Sequence, residues 1–260
     1  MELAIRTEKL TRNFSGKLAV DHVDLDVACG TFYGFLGPNG AGKSTTIKML
    51  TGLLQPTAGR IEVLGKNMLN PSESLEVKRL IGVIPENLAL FDNLTAMEYL
   101  TFVGRIHGLD RELIRQRSKE LLDLLALEDD PKKMSMDFSH GMRKKLSLAA
   151  ALLHRPKLLF LDEPFEGVDA VASRTIRELL MQFTANGGTV FLTSHVLEIV
   201  ERLCTHVGII VAGKLVTQSS LNELTDGGSL ESAFIRAAGG DALEQSSAKL
   251  DWLVSDRGAS

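Results

Sequence analysis

At 260 residues, 44% of them hydrophobic and 24% charged, the chain is long enough to bury a full α/β core with room for one inserted subdomain. Its net charge of −4 is that of an ordinary soluble surface and argues against a nucleic-acid-binding protein, which is usually basic. No apolar run approaches the roughly 18 residues that cross a bilayer, and Met1-Glu2-Leu3-Ala4-Ile5-Arg6 lacks the charged-then-apolar pattern of a secretion signal. The only cysteines, Cys29 and Cys204, are too few for a disulfide framework and lack metal-ligand spacing. Both stand in apolar surroundings and are expected to be buried free thiols. The compartment these features indicate is the cytoplasm.

Leu3-Ala4-Ile5, Ala19-Val20 and Leu25-Asp26-Val27 alternate in the manner of strands, with a turn at Asn13-Phe14-Ser15-Gly16. A further apolar strand, Thr31 to Leu36, leads into Gly37-Pro38-Asn39-Gly40-Ala41-Gly42-Lys43-Ser44-Thr45. That loop fits the phosphate-binding pattern G-x-x-x-x-G-K-[ST], and a helix-like run from Ser44 to Leu50 follows it. Glycines let backbone N–H groups turn inward around an anion, with a helix N-terminus behind them. Lys43 is placed to reach the β- and γ-phosphates, and the Ser44 hydroxyl to complete a Mg²⁺ shell. A chance glycine-rich turn would lack the flanking strand and helix, so the chain is expected to bind a nucleoside triphosphate.

Pro56-Thr57-Ala58-Gly59 reads as a turn before a strand over 60–64, and a buried strand over 80–84 stops at Pro85. Between 94 and 154 the apolar period becomes helical, over 94–107, 112–127 and 139–154. On the second of these helices Leu113, Ile114, Leu121, Leu124 and Leu125 form the predicted stripe. This stretch is expected to be a helical insertion. Strand–helix alternation resumes at 157–161, a continuous apolar run suited to a central parallel strand. A helix over 170–184, a strand over 189–193, a short helix from Val196 and a strand over 206–211 come after it. Residues 219–260 are weaker and read as a small helical tail that frays.

The strand over 157–161 ends in Asp162-Glu163, and ligands of open α/β sheets bind at the carboxyl ends of strands. Asp162 is positioned for Mg²⁺, directly or through water, and Glu163 for poising the attacking water as a general base. Acids at such a place can also simply cap the next turn; the phosphate loop upstream favours the chemical reading. One strand later His195 follows another apolar run and is positioned to hydrogen-bond a γ-phosphate. His22, His107, His140, His154 and His206 read as structural.

In this order the motifs resemble the nucleotide-binding subunits of ATP-binding cassette (ABC) transporters, over about residues 3–224. The nearest pattern is that of the ATPase partners of bacterial ABC-2-type exporters. Residues 37–45 match the family's phosphate loop throughout, and Leu158 to Pro164 match its acidic strand with the catalytic glutamate. Gly167-Val168-Asp169 resembles the D-loop that crosses to a partner subunit, and Ser194-His195 the switch histidine. Phe138-Ser139-His140-Gly141-Met142 stands where the family usually has Leu-Ser-Gly-Gly-Gln; Ser139 and Gly141 are kept, while His140 and Met142 depart. Ser139 at a helix N-terminus would face an anion. Glu86 replaces a frequent Gln, keeping an oxygen ligand and adding a negative charge. Phe14 occupies the place of the aromatic that stacks on adenine, with a core phenylalanine as the alternative. Arg143, Lys144 and Lys145 read most simply as a solvated helix face.

The resemblance implies an α/β fold: a P-loop NTPase (RecA-like) core with an N-terminal antiparallel β subdomain and an α-helical subdomain inserted at about 94–154. These make one ABC ATPase domain over 1–224, with a helical or flexible tail over 225–260. Implied ligands are ATP and Mg²⁺, the metal at Ser44, Asp162 and Glu86. Glu163, His195 and Lys43 are the implied catalytic residues, while Ser139, Gly141 and Asp169 would act across a head-to-tail dimer with a second ABC ATPase subunit. Separate transmembrane permease subunits are the implied partners, export the implied direction, and the inner face of the cell membrane the implied location; no nucleic acid is expected. The alternatives are a non-transport ABC ATPase acting on ribosomes or DNA, and a degenerate subunit that binds ATP without turnover.

Overall fold

The computed structural model describes residues 2–127, 132–226 and 228–237. The chain opens with a hairpin in which β1 (Leu3–Phe14) and β2 (Lys17–Ala28) pair antiparallel around Ser15-Gly16. Both turn residues have positive φ, as a two-residue hairpin loop requires. β3 (Phe32–Leu36), the phosphate loop and α1 (Lys43–Leu50) follow. β4 (Ala58–Val63) and β5 (Lys66–Asn67) complete a four-stranded antiparallel sheet in the order β2-β1-β4-β5.

After α2 (Pro71–Lys78) and β6 (Ile81–Ile84) the chain turns helical, with α3 (Ala96–Ile106), α4 (Arg111–Leu124), a short 3₁₀ turn over Ser135–Asp137 and α5 (His140–Leu153). Then come β7 (Leu158–Asp162), α6 (Ala170–Ala185), β8 (Thr189–Ser194), α7 (Leu197–Leu203), β9 (His206–Val211) and β10 (Lys214–Ser220). These strands join β3 and β6 in a six-stranded sheet ordered β10-β9-β3-β8-β7-β6, parallel except for the edge strand β10. Two short helices, α8 (Leu221–Thr225) and α9 (Leu230–Ala237), end the described chain.

Strand alternation assigns the faces of this sheet. Tyr33, Phe35, Leu158, Phe160 and Phe191 pack with Ile47, Met49 and Leu50 of α1 and with Ile5, Leu10 and Val23 of the antiparallel sheet. Phe32, Leu36, Leu159, Leu161 and Leu192 point the other way, onto α5, α6 and α7 through Leu146, Leu153, Ile176 and Val200. The central strands are therefore buried on both faces, which is why they read as unbroken apolar runs. By the same parity Asp162 falls on the α1 side with Leu158 and Phe160.

Several expectations need correcting. On α4 the buried line is Ile114, Ser118 and Leu122, continued by Leu125, whereas Leu124 is exposed. The cause is the crossing with α3: a Cβ on Gly104 would stand 2.6 Å from Ile114 Cγ1, so α3 lies directly on that line. Cys204 is buried, and burial pushes its thiol pKa up; Cys29 is exposed where β2 has ended and the chain turns at Gly30. α2 and the strands β5 and β10 are not foreseen. α2 starts at Asn70-Pro71, an N-cap with proline in the first turn, but buries only Ser74 and Val77, leaving no stripe to detect.

α9 is docked rather than frayed: it buries Leu230 and Ala233, and the Leu230 N–H donates to Glu201 of α7 at 2.6 Å. The remainder of the expected tail, 238–260, lies outside the described residues. Among the described residues no helix is long and apolar enough to cross a membrane.

Candidate active site

The glycine loop folds back between β2 and β9. Gly40 and Gly42 have φ of +79° and +111°. Space as well as φ demands glycine here, since a Cβ would stand 2.3 Å from the Ile210 carbonyl at Gly37 and 2.4 Å from the Ala19 carbonyl at Gly42. Lys43 is buried, and its ammonium lies across the loop, donating to the carbonyls of Gly37 at 2.7 Å and Pro38 at 3.4 Å. Glu163 Oε1 stands 3.8 Å from the same nitrogen.

Strand register sets Asp162 of β7 opposite Thr193 of β8. The Thr193 hydroxyl donates to Asp162 Oδ1 at 2.6 Å, and Ser44, in the first turn of α1, donates to the same oxygen at 3.2 Å. Ser44 and Asp162 thus present adjoining oxygens at a helix N-terminus. This donor set suits Mg²⁺, which takes one or two protein ligands beside substrate phosphates and water. Among the described residues no group of His, Cys, Asp and Glu could hold a metal by itself.

Glu163 lies just beyond the strand with φ of +49°, a left-handed conformation that costs a non-glycine residue roughly 1–2 kcal/mol. Its N–H meets the Thr193 carbonyl and hydroxyl, each at 3.2 Å. Its own carbonyl accepts from Lys144 Nζ at 2.9 Å. The carboxylate turns to His195, with Oε2 3.0 Å from Nδ1 and accepting from the His195 backbone N–H at 3.4 Å.

A cavity of about 590 Å³ joins these groups, large enough for a nucleotide. Phe14, Lys17, Leu18 and Ala19 line one end, and Asn39, Gly40, Gly42, Lys43, Ser44, Thr45, Glu86, Glu163 and His195 line the other. Phe14 is 44% exposed at the hairpin edge with the Arg12 guanidinium 4.4 Å over its ring, so it is not a core residue. Glu86 is exposed on the loop after β6.

Ser139, Gly141 and Asp169 do not line this cavity. Ser139 caps α5 by accepting the Met142 N–H at 3.2 Å. Asp169 caps α6 by accepting the N–H groups of Val171 and Ala172, each at 2.9 Å. Those bonds, that from Ala172 foremost, hold its carboxyl below the usual range. A Cβ on Gly141 would stand 3.4 Å from Asp169 Oδ2, so α5 and α6 present these caps side by side. His140 packs against Gly167, where a Cβ would stand 2.9 Å from the imidazole Cδ2.

Two residues of the site escape a reading of the sequence. Thr193 has only its place at the end of β8, on the Asp162 face, as a signal. Lys144 corrects the expected solvated helix face, since it is 2% exposed. Its spacing from Gly141 and Leu148 puts it on the face that α5 turns inward, and burial lowers its pKa from the ordinary lysine value. Arg143 is half-buried and pairs with Asp92 at 3.0 Å.

Known proteins share this arrangement. The family profile described as ABC transporter matches residues 20–166. The bacitracin transport ATP-binding protein BcrA of Bacillus licheniformis is 40% identical over 225 residues, covering 86% of this chain and 72% of that protein. The daunorubicin resistance ATP-binding protein DrrA3 of Streptomyces coeruleorubidus is 36% identical over 240 residues, covering 92% of this chain and 75% of that protein. A solved ATP-binding subunit of an ABC transporter superposes with a TM-score of 0.83 at 29% identity, covering 90% of this chain and 99% of its own. A dimeric ATP-binding cassette bound to ADP and Pi has the same fold, with a TM-score of 0.77 at 23% identity over 84% of this chain and 98% of its own. With the phosphate loop, the acidic strand end and the histidine beside it in one cavity, the chain belongs to the ABC transporter family as one of its ATP-binding and ATP-hydrolysing subunits.

Proposed function

We propose that this chain drives export through separate membrane permease subunits, with Glu163 as the general base and two copies closing head to tail over ATP. The observation that carries the reading is the Glu163 carboxylate, fixed 3.0 Å from His195 Nδ1 and 3.8 Å from Lys43 Nζ at the mouth of the phosphate loop.

ATP enters with its adenine against Phe14 and its phosphates against the loop N–H groups of residues 37–45. Lys43 exchanges the Gly37 and Pro38 carbonyls for the β- and γ-phosphates, trading neutral acceptors for anionic ones. Ser44 and Asp162 would hold Mg²⁺, with Glu86 offering a further oxygen ligand, and the ion would supply charge neutralisation at the phosphates. Glu163 takes the proton of the attacking water, while His195 fixes the carboxylate and reads the γ-phosphate.

Ser139 and Asp169 stand exposed outside the cavity, with Gly141 buried beside Asp169, which supports their acting on the nucleotide of a second subunit. A half-site without that cap leaves part of the developing charge unstabilised, so a lone chain turns over slowly. A groove of about 370 Å³ between core and helical insertion, lined by Leu53, Leu90, Tyr99 and His107 and bordered by exposed Phe91, is the permease contact in this scheme. Docking there places the chain at the inner face of the membrane. Support for export comes from relatives named for bacitracin transport, daunorubicin resistance and Nod factor export.

Glu163→Gln keeps the shape of the side chain and removes the base. ATP turnover is expected to fall by about 100-fold or more, with nucleotide affinity retained. Equal turnover in the native chain and the variant removes Glu163 from this role.

A further inference from the structure

We propose that Lys144 is a positioning residue for ATP hydrolysis: its buried ammonium holds the Glu163 peptide in the conformation that aims the carboxylate, and ties the helix capped by Ser139 to that peptide within one chain. The inference rests on reading Glu163 as the general base.

A lysine on a helix surface ordinarily keeps its ammonium in water. This one is 2% exposed and donates to the Glu163 carbonyl at 2.9 Å. Negative charge from Glu166, Asp162, Glu163 and Glu86, on the loop after β6, the end of β7 and the turn beyond it, acts on it, and that attraction opposes the cost of burial. Buried charge of this kind is costly to keep without a use for it.

The use is visible at Glu163. Its φ of +49° is rare for a side-chain-bearing residue, and Pro164 follows, which restricts the preceding backbone further. Such a conformation persists only where its surroundings over-determine it. The N–H side is held by Thr193 and the carboxylate by His195, while the carbonyl accepts from Lys144 at 2.9 Å and, at a longer 3.3 Å, from the Glu166 N–H. Without the ammonium that side of the peptide keeps only the longer bond from the Glu166 N–H, and the carboxylate is less firmly aimed. Lys144 also rides on α5, whose first turn carries the Ser139 cap. A shift of the helical insertion against the core therefore pulls directly on the base.

The test measures ATPase rate against ATP concentration for the full native chain, Lys144→Met, Lys144→Gln and Glu163→Gln, with thermal melts of each. Lys144→Met keeps the aliphatic volume and removes donor and charge. Its kcat is expected to fall about tenfold or more while KM for ATP changes less than about twofold, because the phosphate loop is untouched. Lys144→Gln retains an amide donor and is expected to recover part of the rate. A kcat of Lys144→Met within about twofold of native, beside an inactive Glu163→Gln, overturns the proposal and leaves Glu163 as the base. A loss shared equally by kcat and KM, with a lowered melting temperature, is a packing defect and overturns it too. Native turnover in Glu163→Gln removes both ideas together. Should Lys144→Met fail to fold, Lys144→Gln decides: a kcat reduced about threefold or more at native KM and melting temperature supports the role, and a native kcat ends it.

Discussion

Glu163 draws these partners from two separate stretches of the chain: Thr193 and His195 at and just past the end of β8, and Lys144 on α5. In the proposed function Phe14 has a simpler role, as a ring presented to adenine at the edge of a hairpin. Stacking of this kind contributes on the order of 1 kcal/mol. Phe14→Ala is therefore expected to raise KM for ATP about fivefold with kcat unchanged, as read from steady-state rates.

His154 carries a different consequence. Its ring stacks on His107 with centroids 3.7 Å apart and its Nε2 lies 2.9 Å from the Ile81 carbonyl. Burial foremost, and then the neighbouring His107, pushes its pKa from the usual 6.5 down to about 4. The folded chain keeps this imidazole neutral, while the unfolded chain protonates it near pH 6.5. The unfolded state thus binds more protons between the two values, and stability rises with pH there. The contribution is complete above about pH 6.5 and is lost as pH falls towards 4. Melting temperature is expected to fall from pH 7 to pH 5, and His154→Leu to flatten that slope.

The starts of α3, α4, α5 and α6 each carry a local chemical signal. Thr95 with Glu98, Asp110, Ser139 and Asp169 all cap the helices that follow them, each side chain accepting a hydrogen bond from an otherwise free N–H. The facing of α4 was not legible, because periodicity shows a stripe but not which neighbour covers it. The structure sets Leu122 in the core and leaves Leu124 53% exposed. Leu122→Ala is expected to destabilise the chain by about 2–5 kcal/mol, and Leu124→Ala by no more than about 0.5 kcal/mol, in denaturant titrations. Similar losses from both would place the core on the other side of the helix. β5 and β10 escaped notice because short or half-exposed edge strands carry little alternation.

The separation of Ser139 and Asp169 from the Lys43 cavity gives the proposed assembly its logic. In that scheme each chain would hold both halves of an ATP site, so two chains would complete two sites. Glu163→Gln loaded with ATP is expected to sediment as a dimer and to return to monomer when ATP is withdrawn. A variant that binds ATP and stays monomeric at every concentration, with and without permease membranes, would end the head-to-tail scheme.

The phosphate loop and the acidic end of β7 could be located from the chain alone, because each is a contiguous run at the end of an apolar strand, and His195 by its place just past another. The division into an α/β core and a helical insertion was readable for the same reason, through a change of apolar period. Other features depend on which distant surfaces come together: the shared oxygen of Ser44 and Asp162, the burial of Lys144, the exposure of Cys29 and the turn of α4 towards Leu122. Strand parity and register, helix crossings and the covering of one element by another decide these, and none is contained in a local run of residues.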